Sequence, residues 1–266
     1  MRLPWRCGNG RATARVAPTE LTEVVCRIHE GRLKQIGTLT ESSLHAALKA
    51  HYAQPGDLLE CEVAGYVVDI VRPLPDGGAR CIEIQTRNLG QMKRKLLALL
   101  EHHAVHVVHP IAQERTIVRV GADGMVASRR KSPKHGRVHD IFSELVGLTA
   151  LVGHPRLTLE VVLIGEEQVW RDDGQGSWRR RRWSIADRRL LSVGQSVVLA
   201  APADFAALLP ADLPDCFDTG ELAALLRAPR HLAQKMAYCL RALGVLQADG
   251  KRGRAVLYRR AATSGV

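Results

Sequence analysis

Along this chain the apolar positions switch between a helical and a strand-like spacing, and the switches divide it into elements. Residues 41–52 (Glu-Ser-Ser-Leu-His-Ala-Ala-Leu-Lys-Ala-His-Tyr) read as a helix introduced by Thr40 as N-cap. Tyr66 to Val71 is a β-branched run, the Pro-Leu-Pro-Asp-Gly-Gly segment 73–78 is turn chemistry, and Cys81 to Thr86 reads as the returning strand of a hairpin. Leu89 to Glu101 is helix-periodic and opens with a basic turn, and Val105 to Ile111 supplies another buried strand. Val138 to Leu151 predicts a helix ended by Gly153-His154-Pro155, followed by a long strand from Leu157 to Trp170. Trp183 to Leu199 predicts a short helix and a further strand. Pro202, Pro210 and Pro214 mark 201–214 as a linker. Beyond it, Phe217 to Leu226 reads as a short helix capped by Asp218 or Thr219, and Arg227 to Arg230 as a turn. His231 to Leu243 is a second helix closed by Gly244. Val245 to Ala248 and Ala255 to Tyr258 then form two strands around the tip 249–254. The chain shows no internal repeat.

Strand geometry turns the hairpin into candidate chemistry. Successive side chains point to opposite faces, so Glu83 and Gln85 share one face while Ile82, Ile84 and Thr86 occupy the other. A carboxylate flanked by isoleucines costs free energy unless it is solvated, paired or bound to a cation. Asp69 on the neighbouring strand adds a second carboxylate. Two such groups suit a hard, oxygen-seeking ion such as magnesium or manganese.

That constellation resembles the PD-(D/E)XK nuclease superfamily, with Asp69 and Glu83 matching the two acids. The order of elements over roughly residues 20 to 170 carries the resemblance more than any single motif. It implies an α/β fold, a restriction-endonuclease-like central mixed sheet flanked by helices. It also implies Mg²⁺ or Mn²⁺ on Asp69 and Glu83, with Glu62 or Glu41 as the additional acid. The motif lysine is replaced by Gln85, which would position water without supplying a cation, and Lys93 or Lys95 from the next helix would substitute.

The end of the chain resembles a winged helix-turn-helix module over 214–262. In such a module the second helix enters the major groove and the wing rests on phosphate. By that resemblance Arg230, Gln234, Lys235, Tyr238 and Arg241 face the duplex, and Lys251, Arg252 and Arg254 form the wing contact. Tyr238 also lies among Leu232, Met236, Leu240 and Leu243, which leaves a place in the small core open to it. The organisation expected is a loosely ordered start over 1–19, a nuclease-like domain with a basic β-rich extension over 20–205, a linker over 206–213 and the small C-terminal domain.

Composition agrees with a polyanion partner. The 266 residues carry a formal net charge of +11, with an isoelectric point near 9.8, which attracts phosphate without specifying sequence. The excess gathers in Arg129 to Arg137 and in Trp178 to Trp183, where four arginines stand between two indoles. Both segments read either as phosphate or base grips or as solvated surface. Cys7, Cys26, Cys61, Cys81, Cys216 and Cys239 contain no Cys-x-x-Cys pair, so they read as reduced thiols rather than a zinc site. His102, His103, His106 and His109 gather after a predicted helix end, where imidazoles complement the helix dipole. Asp172 to Ser177 lacks the Gly-Lys-Ser/Thr ending of a phosphate loop and reads as a hairpin tip, and no nucleotide cofactor is expected. The start of the chain has no apolar signal region and no run is long enough to span a bilayer, so a cytoplasmic protein without membrane contact is expected. The combined expectation is a Mg²⁺-dependent deoxyribonuclease with DNA as partner, and pairing of two copies or a partner protein stays open. The alternative is a regulatory DNA-binding protein that keeps the nuclease fold without hydrolysis.

Overall fold

A computed structural model describes residues 42–176, 178 and 183–261. The expectations for 1–19, Thr40, Glu41, Cys7, Cys26 and the four arginines 179–182 lie outside the described residues. Helix α1 (Ser43–Tyr52) starts at Ser42, whose side chain accepts from the backbone N–H of His45. Strands β1 (Leu58–Val63), β2 (Tyr66–Pro73) and β3 (Ala79–Ile84) form an antiparallel meander. A short 3₁₀ turn, Leu89–Met92, leads into α2 (Lys93–Leu100), which crosses to β4 (Ala104–Val120), parallel to β3. β5 (Val126–Lys131) folds back on the far half of β4, and after the 3₁₀ turn Val138–Ile141 and α3 (Phe142–Leu145) the chain enters β6 (Leu157–Arg171). β6 runs parallel to β4, and β7 (Ser184–Leu199) pairs antiparallel with β6 at the sheet edge. The sheet order is β1-β2-β3-β4-β6-β7, with β5 beside β4.

Helices cover both faces of this mixed sheet. Leu44 and Leu48, one turn apart on α1, are fully buried against Ile70, Ile82, Ile84, Val108, Val162 and Ile164. Tyr52, at the end of α1, donates from its hydroxyl to Glu160 Oε1 at 2.8 Å, and His106 Nε2 lies 2.8 Å from Glu160 Oε2. Bonding from His106 holds the Glu160 carboxyl down at about 2, although its partial burial opposes that. The opposite face carries the larger core, where Leu96, Leu99, Phe142 and Leu145 meet the C-terminal part of the chain.

That C-terminal part consists of α4 (Pro202–Ala206), α5 (Thr219–Leu226), α6 (Arg230–Ala242) and the hairpin β8 (Leu246–Arg252) with β9 (Ala255–Arg260). Of the two caps the sequence offered, Asp218 is the one used, and it caps α5 reciprocally with Glu221. The proposed linker is corrected: 202–206 is helical, and Phe205, Leu209 and Leu213 are buried in the same core as Leu199 and Leu222. Prolines there start a helix and shape turns around apolar anchors instead of keeping the segment extended. Two further corrections concern the sheet. Trp183 to Leu199 contains one uninterrupted strand rather than a helix and a strand, and residues 129–131 of the basic segment 129–137 belong to β5. His106 and His109 lie within β4, not at a helix end. No helix among the described residues is long and apolar enough to cross a membrane.

Candidate functional site

β2 and β3 pair from Pro73 opposite Ala79 up to Ile70 opposite Ile82. Asp69 and Glu83 are the next residues on the two strands, so both acids stand where this pairing ends. Asp69 Oδ2 accepts from the backbone N–H of Ile84 at 2.8 Å, filling the place of a strand carbonyl, and lies 3.2 Å from His45 Nε2 on α1. Burial alone would raise the Asp69 carboxyl, but His45, the Ile84 amide and the charge of Lys95 outweigh it and hold it below the ordinary range. Its Oδ1 makes no hydrogen bond among the described residues.

Glu83 behaves oppositely. It is 4 % exposed and pairs in register with Val107 of β4. Its Oε2 accepts from Lys95 Nζ at 2.6 Å, and the same ammonium donates to Val67 O at 2.6 Å. Its Oε1 is buried with no hydrogen-bond partner in the structure. Burial pushes the carboxyl up to about 7; Lys95 opposes that rise and the neighbouring charge of Asp69 adds to it. Each acid therefore gives one oxygen to the protein and keeps the other.

The remaining predicted residues divide. Lys95, not the exposed Lys93, reaches the acids, because it stands one residue before the buried Leu96 on α2 and its stem can follow the sheet surface. Gln85 does not join them: its amide donates to Arg87 O within its own loop, and its carbonyl accepts from His109. Glu62 is exposed on the outer strand opposite Val67, outside the cluster. The residue across from Asp69 is Glu60, whose backbone φ of +52° interrupts the alternation of β1, and which pairs with Lys49 of α1 at 2.5 Å. His45 is the member the sequence reading missed, although its place one turn into a capped helix beside Leu44 was visible. Among the described residues no group of three or more His, Cys, Asp or Glu is arranged to hold a metal ion.

At the C-terminal end, α6 buries Leu232, Ala233, Met236, Ala237, Cys239 and Leu240. Helical spacing leaves Arg230, Gln234, Tyr238 and Arg241 exposed along one stripe, with Lys235 half-buried beside them. Tyr238 is 53 % exposed, which settles its place outside the core. Lys251, Arg252 and Arg254 are exposed around the β8–β9 turn, but Arg252 is bound by Glu221 at 2.9 and 3.2 Å. On the long sheet arms, Arg119 of β4 lies between the rings of Trp170 and Trp183, 5.8 and 5.3 Å from their centroids.

The chain is 35 % identical over 225 residues to an uncharacterized protein of Treponema pallidum (strain Nichols), covering 85 % of this chain and 87 % of that relative. No solved structure matches it. Residues 42–200 match the domain of unknown function DUF8091, a span that runs from the cap of α1 to the end of β7 and holds Asp69, Glu83, Lys95 and His45. By this match, which spans more than half of its length, the chain belongs to the DUF8091 family.

Proposed function

We propose that the protein is a divalent-metal-dependent nuclease acting on DNA, with Asp69 and Glu83 as metal ligands and the C-terminal helices and hairpin as its DNA-holding part. The observation that carries this reading is the uncommitted oxygen on each acid, Asp69 Oδ1 and the buried Glu83 Oε1, beside a lysine ammonium. A buried carboxylate oxygen without a partner is costly, and a hard cation would satisfy it. Two carboxylates suffice for magnesium or manganese, which keep water and take substrate oxygens in the remaining positions. A bound ion would lower the pKa of a coordinated water and stabilise charge on the scissile phosphate. Lys95 donates to Glu83 and Val67, which leaves its third N–H to orient a water or a phosphate oxygen. It supplies the cation that Gln85 lacks.

The element order supports the same reading. One helix, three antiparallel strands, a crossing helix and a parallel fourth strand, α1-β1-β2-β3-α2-β4, follow the PD-(D/E)XK order. For the DNA-holding half, support comes from two helices at a sharp turn, a basic hairpin, and the bridge between Phe217 and Tyr258 that adds a third extended segment. Arg230, Gln234 and Arg241 would then address the groove, and Lys251 and Arg254 the phosphates.

The internal Glu83–Lys95 pair favours one second reading, a DNA-binding protein of the same fold without hydrolysis, because a protein cation already offsets part of the charge a metal would neutralise. Incubation of the full chain with supercoiled plasmid and single- and double-stranded oligonucleotides separates them. Cleavage that needs Mg²⁺ or Mn²⁺, stops with chelator and falls at least about a hundredfold in Asp69→Asn and Lys95→Ala is expected for the nuclease. Unchanged DNA binding with no cleavage of any substrate would leave the second reading.

A further inference from the structure

A cleft opens between the middle of β4 and the start of α6, on the face of the sheet away from α1. It lies apart from the Asp69 and Glu83 oxygens, and two features converge on it. The first is the start of α6, a helix of 13 residues whose N-cap, Pro229, has no side chain to accept from the first turn. Leu232 N and Ala233 N return to Pro229 O, the amides of Arg230 and His231 have no acceptor among the described residues, and Pro229, His231 and Leu232 line the cleft.

The second feature is His109 of β4. The residue is 5 % exposed and lines the same cleft. Nδ1 lies 2.7 Å from Gln85 O, and because a carbonyl can only accept, that nitrogen carries the hydrogen. Nε2 has no hydrogen-bond partner among the described residues. His135 repeats the arrangement at the mouth, with Nδ1 held 3.0 Å from Gln113 O. Its segment lies against β4 because Gly136 has no side chain, since a Cβ there would fall 2.5 Å from Ile111 Cγ2 and 2.6 Å from Ala112 O. Lys134 and Arg137 flank it.

The acidic groups facing the cleft are already engaged. Asp140 Oδ2 accepts from Arg137 N at 3.1 Å, and Glu144 Oε2 from Leu89 N at 3.1 Å. Arg115 and Arg188, on the floor, are both held by the buried Glu166. Among the described residues the donors left unused are therefore Lys134 and the helix amides, and the free Nε2 edges of His109 and His135 become donors on protonation.

We propose that this cleft is a phosphate site in which the start of α6, Lys134 and the protonated Nε2 of His109 hold the anion. The assignment of the phosphate to a nucleic-acid strand rests on the function proposed above; the assignment of the cleft to phosphate does not. His109 meets Glu144, Arg188 and the Gln85 carbonyl in the free protein; burial lowers its pKa against the pull of Gln85 and Glu144, and an anion at Nε2 would raise it again, so anion binding is coupled to protonation of the ring.

The test is a titration of the full chain, and of Asp69→Asn, with inorganic phosphate and with 5′-phosphorylated and 5′-hydroxyl oligonucleotides, followed through the histidine ring nitrogens by NMR. The expected result is protonation of His109 Nε2 on adding phosphate, equally in Asp69→Asn, with affinity falling roughly tenfold in Lys134→Ala, whose exposed site leaves the fold intact. Tighter binding of the 5′-phosphorylated oligonucleotide than of inorganic phosphate assigns the site to a strand; equal affinity assigns it to free phosphate. A His109 signal that does not move with any of the three ligands, or moves only while Asp69 is intact, overturns the proposal. Loss of cleavage with this signal retained would remove the nuclease reading alone.

Discussion

Glu83 carries a conflict that its neighbours resolve only in part. Its carboxyl is pushed from an ordinary value of 4.5 to about 7, so between those values the folded protein binds more protons than the unfolded chain. The stability that Glu83 contributes is therefore fullest below about pH 4.5 and is lost as pH rises toward 7, by roughly 3 kcal/mol at most. Glu83→Gln, which keeps the shape and an acceptor for Lys95, is expected to unfold at a higher temperature than the parent at pH 8 and at the same temperature at pH 4. Mg²⁺ or Mn²⁺ should raise the melting temperature of the parent at pH 8 and leave Glu83→Gln unchanged. Scanning calorimetry across pH with and without the ion measures both effects, and a parent more stable than Glu83→Gln at pH 8 without metal would contradict the reading. Under the proposed function, stabilisation by a substitution that also abolishes cleavage would mark a functional strain held in the fold.

The β1–β2 hairpin turns through Ala64 and Gly65 alone, with Val63 opposite Tyr66 and backbone φ of +51° and +77°. Both central positions are left-handed, as the twist of a two-residue hairpin requires, and alanine is the residue out of place. Ala64→Asn is expected to raise the unfolding free energy by about 0.5–1 kcal/mol, measured by urea denaturation, without altering cleavage. This hairpin also shows where sequence reading stopped. Tyr66 to Val71 and Cys81 to Ile84 were legible as strands because β-branched runs stood between dense turn signals. β1 was not, since Leu-Leu-Glu-Cys-Glu-Val is an edge strand with half its side chains in water and an irregular alternation at Glu60. α5 and α6 were read nearly to the residue because caps and a stop at Gly244 frame them. The pairing of Lys95 with Glu83 was legible only as an option, because which lysine of a helix meets a strand depends on its rotation over the sheet.

The molecule as a whole holds its charges on surfaces of different kinds. The exposed stripe of α6 mixes Arg230 and Arg241 with Gln234 and the open ring of Tyr238, whereas all six residues of β5 are exposed and three of them are basic. A stripe with hydrogen-bonding and aromatic groups can discriminate, and an arginine strand contributes mainly salt-dependent attraction. Tyr238→Ala with Gln234→Ala is expected to weaken binding to a preferred duplex about tenfold while leaving the slope of affinity against salt unchanged. Arg129→Ala with Arg130→Ala should lower that slope by roughly two for every sequence. Fluorescence anisotropy over a salt series checks both. Apolar contact runs without a break from the sheet through Leu199, Phe205, Leu209 and Leu213 to Met236 under α6. A body welded together in this way cannot let α6 wander from Asp69 and Glu83. As the nuclease proposed above, it would work as a ruler, placing every cut at one constant offset from whatever stretch the helix grips.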